Sequence, residues 1–551
     1  MPSPTVPDAF PQLTAAQLQR LEPHGHRRKL AHGEVVGEPG QPVTKIFVVV
    51  SGRLAAFTQT TIQASKDLAI SFTAGMFTGE RSVLAGGRFL GRISAAMPSE
   101  VLEIERDELL KLMAIDTELS DIFLRAFILR RLQLIDREQG DVVILGSNHC
   151  SGLLHIFEFL TRNGHPYKMV DLDSDAASQE LLDRFHLTLA DIPVVICRGS
   201  LVLKNPTVEK LADCLGLNPT LDRTQIWDLV IIGAGPAGLG AAVYAASEGL
   251  NVVVVEANAP GGQAGTSSKI ENYLGFPLGI SGQELAARAY DQAQKFGARV
   301  LIAKHAIRLN CDRKPYRVFL GDAEDDVLLT RAIIVATGVE YRKLDVGNLA
   351  QFENAGVYYA ATQMERRMCA DDEVAIVGGA NSAGQAAVFL AETARRVHML
   401  IRSDGLSSTM SRYLISRIDA HPHIVQHSRT EIVALEGNGH LERVAWRRGR
   451  NGAVETQNIR HVFTMTGAEP STKWLRGCLA LDDKGFVKTG PALTPDDLMH
   501  WPLRRQPYLL ETSLPGVLAV GDVRSGSTKR VASAVGEGSI AVATVHQVLA
   551  E

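Results

Sequence analysis

The 551-residue sequence predicts a multidomain chain: an N-terminal β-roll with a terminal helix, a middle α/β domain, and a C-terminal α/β region made of two βαβ domains. Three observations carry this prediction. Short β-like runs separated by glycine turns fill the first hundred or so residues, strand and helix patterns alternate from Asp141 to Leu217, and two separate glycine fingerprints follow, at Gly233 and Gly378. Apolar residues make up 45% and charged residues 21%, and the formal net charge is only -4, which fits a soluble globular protein and gives no basis for nucleic acid as a partner. The start, MPSPTVPDAF, has no basic segment leading into an apolar run, and no later stretch has the length and apolarity of a membrane span. A cytoplasmic location without a membrane span is the resulting expectation.

The first domain is expected over residues 1–137. Its runs KIFVVV, RLAAFT, AISFT and EVLEIE are punctuated by HGE, EPGQ and SGR, and a helical stretch from Glu108 to Asp136 closes it. The second, 138–218, reads DVVILGS as strand, GLLHIFEFLTRNG as helix, YKMVDLD as strand and SQELLDRFH as helix. IPVVICRGSLVL and the helix VEKLADCLG complete it. Residues 219–226 form a linker. The two stretches 227–345 and 467–551 form one βαβ domain, into which a second, 346–466, is inserted.

In DLVIIGAGPAGLGAAVYAASEGLNVVVVEA, Gly233, Gly235 and Gly238 stand between an apolar strand and a helix. The first glycine permits the tight turn, the second lets backbone approach a pyrophosphate, and the third brings helix against strand. The pyrophosphate would sit at the helix N-terminus, where unpaired N–H groups and the helix dipole favour negative charge. Glu256, eighteen residues beyond Gly238, closes the second strand and is placed to accept hydrogen bonds from a ribose.

Further patches raise the expectation from a dinucleotide to FAD. GGQ at Gly261 to Gln263, IENYLGFP at Ile270 to Pro277, VATG at Val335 to Gly338 and the final TSLPGVLAVGDVRSGSTKRVASAVGEGSIAV together resemble the thioredoxin reductase family. The resemblance implies a flavoprotein of two dinucleotide-binding domains, with FAD held by Gly233, Gly235, Pro236, Ala237, Gly238, Glu256, Gly262, Gln263, Asn272, Ala336, Gly338, Gly521, Asp522, Arg530, Val531 and Ala532. It places Asp522 at the ribityl or phosphate region, puts Val531 and Ala532 near the isoalloxazine, and implies a homodimer.

The second fingerprint, DEVAIVGGANSAGQAAVFLAETARRVHMLIRSD, repeats the pattern with Gly378, Gly379, Asn381, Ser382 and Ala383. Its second strand ends at Arg402 rather than at an acid. An arginine pairs with a 2′-phosphate, so NADPH is favoured over NADH, the alternative being a solvated surface charge.

Where thioredoxin reductases carry a CxxC dithiol at the entry to the NADPH domain, this chain reads GVYYAATQME, with Ala360 and Gln363 at the two cysteine positions. Alanine has no thiol to pass electrons on. Hydride transfer from nicotinamide to flavin needs no thiol, so the first half-reaction is retained and the second must change. The six cysteines, Cys150, Cys197, Cys214, Cys311, Cys369 and Cys478, are scattered without metal spacing, and no metal is expected. Buried free thiols are the plainest reading of most of them.

The middle domain resembles the thioredoxin or glutaredoxin fold. That resemblance puts Cys150 at a helix N-terminus where a nucleophilic cysteine sits, Leu153 at the resolving position and a cis-Pro193 opposite. The alternative is a degenerate domain acting as a spacer. The N-terminal pattern FTGERSVLAGGRFLGRISAA resembles cyclic-nucleotide-binding domains of the catabolite-activator type. Gly79 and Glu80 then correspond to a ribose-binding turn and Arg92 to the cyclic-phosphate ligand, the alternative being a docking scaffold. The expected function is an FAD-dependent NAD(P)H oxidoreductase of the thioredoxin reductase type. Its acceptor is oxygen, a quinone or a redox protein, and a nucleotide-like ligand regulates it. Disulfide reduction through Cys150 or Cys369, and a non-catalytic flavin redox sensor, are the alternatives.

Overall fold

The computed structural model describes residues 9–57, 69–80, 82–136, 142–146, 151–172, 191–197, 201–267, 269–321, 326–353, 355–407, 410–449 and 452–551. The N-terminal roll packs two antiparallel sheets. One orders His26–Leu30, Ser99–Glu105 and Lys45–Ser51, and the other Val35–Gly37, Arg92–Ala95, Arg53–Phe57 and Ala69–Thr73. Within KIFVVV, residues 46–49 are apolar without a break because both faces of the strand are covered. Ile46 and Val48 face the helices, while Phe47 and Val49 face the interior of the roll. The closing helical stretch is two helices rather than one, Arg106–Ile115 and Thr117–Asp136. Asp116 breaks it with ψ 97°, and its carboxylate accepts from the Leu119 N–H at 3.0 Å, starting the second helix.

The middle domain has a four-stranded sheet in the order Leu201–Lys204, Val194–Cys197, Val142–Gly146 and Lys168–Asp171, the last two parallel. Helices Ser151–Arg162 and Val208–Leu215 pack with it, and Ile192–Pro193 is cis. Cys150 lies outside the described residues.

In the C-terminal region, Arg299–Ile302, Val252–Glu256, Ile226–Ile232 and Val327–Val335 form a parallel sheet, which Val517–Ala519 rejoins from the far end of the chain beside Ile333–Val335. A second parallel sheet orders Val357–Tyr358, His461–Thr464, Glu373–Val377, Arg396–Ile401 and Ile424–Ser428. Between the two, Val339–Tyr341 and Ala468–Pro470 pair antiparallel, so the chain leaves and re-enters the first sheet through adjacent strands.

The cysteines differ from the free-thiol expectation. Cys197 is bonded to Cys214 and Cys311 to Cys478, pairings between residues brought together only by the fold. Among the described residues Cys369 is the free thiol. Also among the described residues, no helix is long and apolar enough to cross a membrane, and no group of three or more His, Cys, Asp or Glu side chains is arranged to hold a metal.

Candidate functional site

The first fingerprint folds as its glycines require. Gly233 has φ +105°, and a Cβ there would lie 2.4 Å from the Ala336 carbonyl oxygen. At Gly238 a Cβ would meet the Gly233 carbonyl oxygen at 1.8 Å, so any side chain would prise the helix from the strand. Gly235 caps the helix Pro236–Ser247, and the nearest heavy atom to a Cβ built on it is the Gly262 Cα at 3.9 Å. The space in front of this helix N-terminus is therefore open, with Gly262 across it, and the turn suits a pyrophosphate.

Glu256 is buried at the end of its strand and fixed by backbone donors, the Ala234 N–H at 2.7 Å and the Asn258 N–H at 2.9 Å. Each carboxylate oxygen keeps a further acceptor site for a ribose hydroxyl. Nearby, the Asn258 side-chain oxygen is buried without a partner, as expected of a group that meets a ligand. Gln263 donates to the Val339 carbonyl, tying the glycine loop to the strand after Gly338. Asn272 is exposed, on a segment where Leu274 and Leu278 are exposed as well.

The C-terminal segment closes over this site. Gly521, at φ +71°, donates its N–H to Glu537 at 2.7 Å, and Glu537 is paired with Arg524. Asp522 follows in the turn Gly521–Val523, and Arg530 caps the helix Val531–Ala550, which begins with Val531 and Ala532. Burial pushes the Asp522 carboxyl above its ordinary range; Lys529 opposes that shift and Glu537 adds to it. The last helix lies close against Pro236–Ser247, since a Cβ on Gly538 would meet the Ala237 carbonyl oxygen at 2.3 Å. Residues 233–238, 256–263, 336–338 and 521–532 thus converge, and a buried glycine cradle lined by polar groups fits FAD.

The second fingerprint is built alike. Gly378 has φ +147°, with the Met465 carbonyl oxygen 2.5 Å from a virtual Cβ, and the helix Asn381–Leu390 follows with Ala383 buried. Asn381 Oδ1 accepts from the Ser411 N–H at 2.8 Å, and Gly379 and Ser382 stand at the same turn. Arg402 is exposed just beyond Arg396–Ile401.

In the segment GVYYAATQME, Ala360 is partly buried and Gln363 opens the short helix Gln363–Met368. Thr362 donates its N–H to Glu365 at 2.7 Å, capping that helix. Cys369 is 0% exposed, and burial pushes its thiol up to about 12. A thiol so protonated at neutral pH is a poor nucleophile.

In the N-terminal roll, Gly79 and Glu80 line a cavity of about 110 Å³ whose other walls include Phe10, Phe57, Phe72, Phe89 and Arg130. Arg92, expected to hold a cyclic phosphate, does not line it. Its side chain is 57% exposed and paired with Glu38 at 2.9 Å. Glu80 is paired with Arg131 at 3.3 Å and accepts from Ser82.

Two arginines outside every sequence motif connect the regions. Arg131 donates from Nε to the Gly164 carbonyl at 2.7 Å, joining the Glu80 turn to the middle domain. Two residues earlier, Arg162 donates to the carbonyls of Gly262 at 3.1 Å and Ala259 at 3.4 Å, in the glycine loop of the first fingerprint. No local motif marks either residue, because each partner lies in another domain.

Fold and site together define an oxidoreductase with two nucleotide-binding domains. The family profile described as pyridine nucleotide-disulphide oxidoreductase matches residues 227–538, and one described as cyclic nucleotide-binding domain matches residues 27–116. The thioredoxin reductase of Ureaplasma parvum serovar 3 is 31% identical over 318 residues, 58% of this chain and 95% of that protein. NADPH-dependent thioredoxin reductase 3 of Arabidopsis thaliana is 30% identical over 368 residues, 64% of this chain and 65% of that protein. Among solved structures, Lactococcus lactis thioredoxin reductase in its FR conformation aligns with a TM-score of 0.52 at 25% identity, covering 59% of this chain and 99% of that one. The chain belongs to the pyridine nucleotide-disulphide oxidoreductase family and is thioredoxin reductase-like, a flavoprotein using FAD and a pyridine nucleotide, with a cyclic nucleotide-binding domain at its N-terminal side.

Proposed function

We propose that this chain oxidises NAD(P)H through FAD and delivers the electrons to an acceptor other than a dithiol of its own nicotinamide domain. The observation that carries the reading is the contrast between two intact glycine fingerprints and GVYYAATQME, where Ala360 and Gln363 stand in for the dithiol and the nearby Cys369 is sealed in the core. When bound, FAD takes hydride from the nicotinamide and gives up electrons to the acceptor, which is oxygen, a quinone or a redox protein. The chain supplies the binding and orientation. Gly233, Gly235 and Gly238 admit the pyrophosphate, Glu256 holds the ribose, and Asp522 with Val531 and Ala532 closes the flavin end. On the nicotinamide side, Gly378, Gly379, Ser382 and Ala383 cradle the second dinucleotide, and Arg402 reads its 2′-phosphate. The resemblance to thioredoxin reductases implies that it works as a homodimer.

Anaerobic mixing with NADPH or NADH, followed at the flavin absorption band, tests this: bleaching is expected, faster with NADPH. If neither nucleotide bleaches the flavin, the redox-sensor alternative takes its place.

Disulfide reduction stays a second reading because the middle domain holds the bonded pair Cys197–Cys214. It requires that turnover of a disulfide substrate vanish in Cys197→Ser or Cys150→Ser. Activity surviving those changes and Cys369→Ser removes it.

A ligand in the N-terminal roll regulates the reaction. The support is the pair of links from Glu80 through Arg131 to Gly164, and from Arg162 to the flavin loop. A ligand effect on the bleaching rate that disappears in Arg131→Ala tests that coupling.

A further inference from the structure

The cavity of the N-terminal roll has the wrong lining for a base, a ribose and a cyclic phosphate together. Its volume, about 110 Å³, is on the scale of one aromatic ring. Its apolar walls include Phe10, Phe57, Phe72, Phe89, Ile70 and Ile93, and among the described residues its polar side chains are Glu80, Ser82, Arg130 and Gln133. Of these, Glu80 and Ser82 are bonded to each other and Glu80 is also paired with Arg131. Arg92, the residue with which a cyclic phosphate would pair, points to solvent and to Glu38.

Arg130 is a different kind of group. It is 4% exposed and sits among aromatic faces, its guanidinium carbon 4.8 Å from the ring centre of Phe10, 4.7 Å from Phe77 and 5.5 Å from Phe72. Nε donates to the Ala9 carbonyl and Nη1 to the Gly79 carbonyl, each at 2.7 Å. Nη2 is buried with no hydrogen-bond partner. Among the described residues no carboxylate forms an ion pair with this guanidinium, although a buried cation normally has one. Burial lowers its pKa to about 9, the nearby Glu80 carboxylate opposing the shift, which leaves it cationic at neutral pH. A desolvated cation with one unpartnered donor nitrogen, at the wall of a ring-sized apolar recess, is complementary to an anion carried on a small hydrophobic body.

We propose that the roll binds a small carboxylate with a ring-sized apolar body, its carboxylate on Arg130 Nη2 and its ring among Phe10, Phe57, Phe72 and Phe89. This deepens the regulatory reading by naming the ligand class. Because Arg131, next to Arg130, holds Glu80 and Gly164, an occupant of the cavity lies one residue from the link to the middle domain, whose Arg162 reaches the flavin loop.

Titration calorimetry on the full-length, FAD-loaded protein tests it with three probes: phenylacetate, its neutral counterpart 2-phenylethanol, and cyclic AMP. Phenylacetate is expected to bind saturably at one site per chain, at least about tenfold more tightly than 2-phenylethanol, the worth of one charge-assisted hydrogen bond. Arg130→Met should abolish that preference, Arg130→Lys should keep part of it, and Arg92→Ala should leave it unchanged. Equal affinity for the two phenyl probes in the unmodified protein overturns the proposal whether or not the variants fold. So does cyclic AMP binding that is lost in Arg92→Ala and kept in Arg130→Met. Phenylacetate binding that leaves the flavin bleaching rate unchanged supports the site and removes only the regulatory reading.

Discussion

The two glycine fingerprints of the C-terminal region share a backbone and differ at the far end of the second strand. After Val252–Glu256 stands a buried carboxylate held by two backbone N–H groups. After Arg396–Ile401 stands an exposed arginine. The shared part is steric: in each, the turn glycine has positive φ and a Cβ would strike a neighbouring carbonyl. The differing part is electrostatic, a buried carboxylate against an exposed guanidinium, and the proposed function assigns a ribose hydroxyl to the first and a 2′-phosphate to the second. One motif thus carries two different end residues, and in the proposed function it is this residue that selects the ligand.

The largest effect that should break this parallel is Gly238→Ala. With the Gly233 carbonyl 1.8 Å from the new carbon, helix and strand must separate. The purified protein should then carry essentially no flavin, read from its visible absorption. Gly378→Ala should leave flavin content intact while slowing NADPH-driven bleaching about 100-fold, since positive φ and the clash with Met465 together cost roughly 3 kcal/mol. A Gly378→Ala protein that also loses flavin would show that the two sites fold as one unit.

Smaller changes sharpen the electrostatic difference. Arg402→Ala should raise KM for NADPH about tenfold and leave NADH unaffected, the contribution of one exposed charge-assisted contact. An equal rise for both nucleotides would make Arg402 a general surface charge.

The smallest effect expected is on stability. Because burial raises the folded-state pKa of Asp522, its ionised form opposes folding, and that loss of stability grows as pH rises from the unfolded value through the folded one. Asp522→Asn should therefore melt at a higher temperature than the parent in the flavin-free state at neutral pH, with the gap closing in acid, while retaining FAD less well. Scanning calorimetry at two pH values checks the sign.

Much of this was legible in the sequence for a physical reason. A glycine fingerprint is local: turn, helix start and strand lie within thirty residues, so Gly233, Gly238, Glu256 and Gly378 announce themselves. The segment GVYYAATQME, with Ala360 and Gln363 and without a cysteine, is equally local. The break at Asp116 was harder to see, because a single capping side chain interrupts a continuous helical pattern.

The sequence by itself determined that a β-rich roll precedes the oxidoreductase region and where the two glycine turns fall, because spacing along the chain encodes backbone geometry directly. Only the tertiary structure decided which cysteines pair, that Arg92 faces solvent while Arg130 enters the cavity, and that Arg162 reaches the flavin loop. Those facts depend on contacts across domains and on burial, which act on side chains far apart in sequence and leave no periodic trace along it.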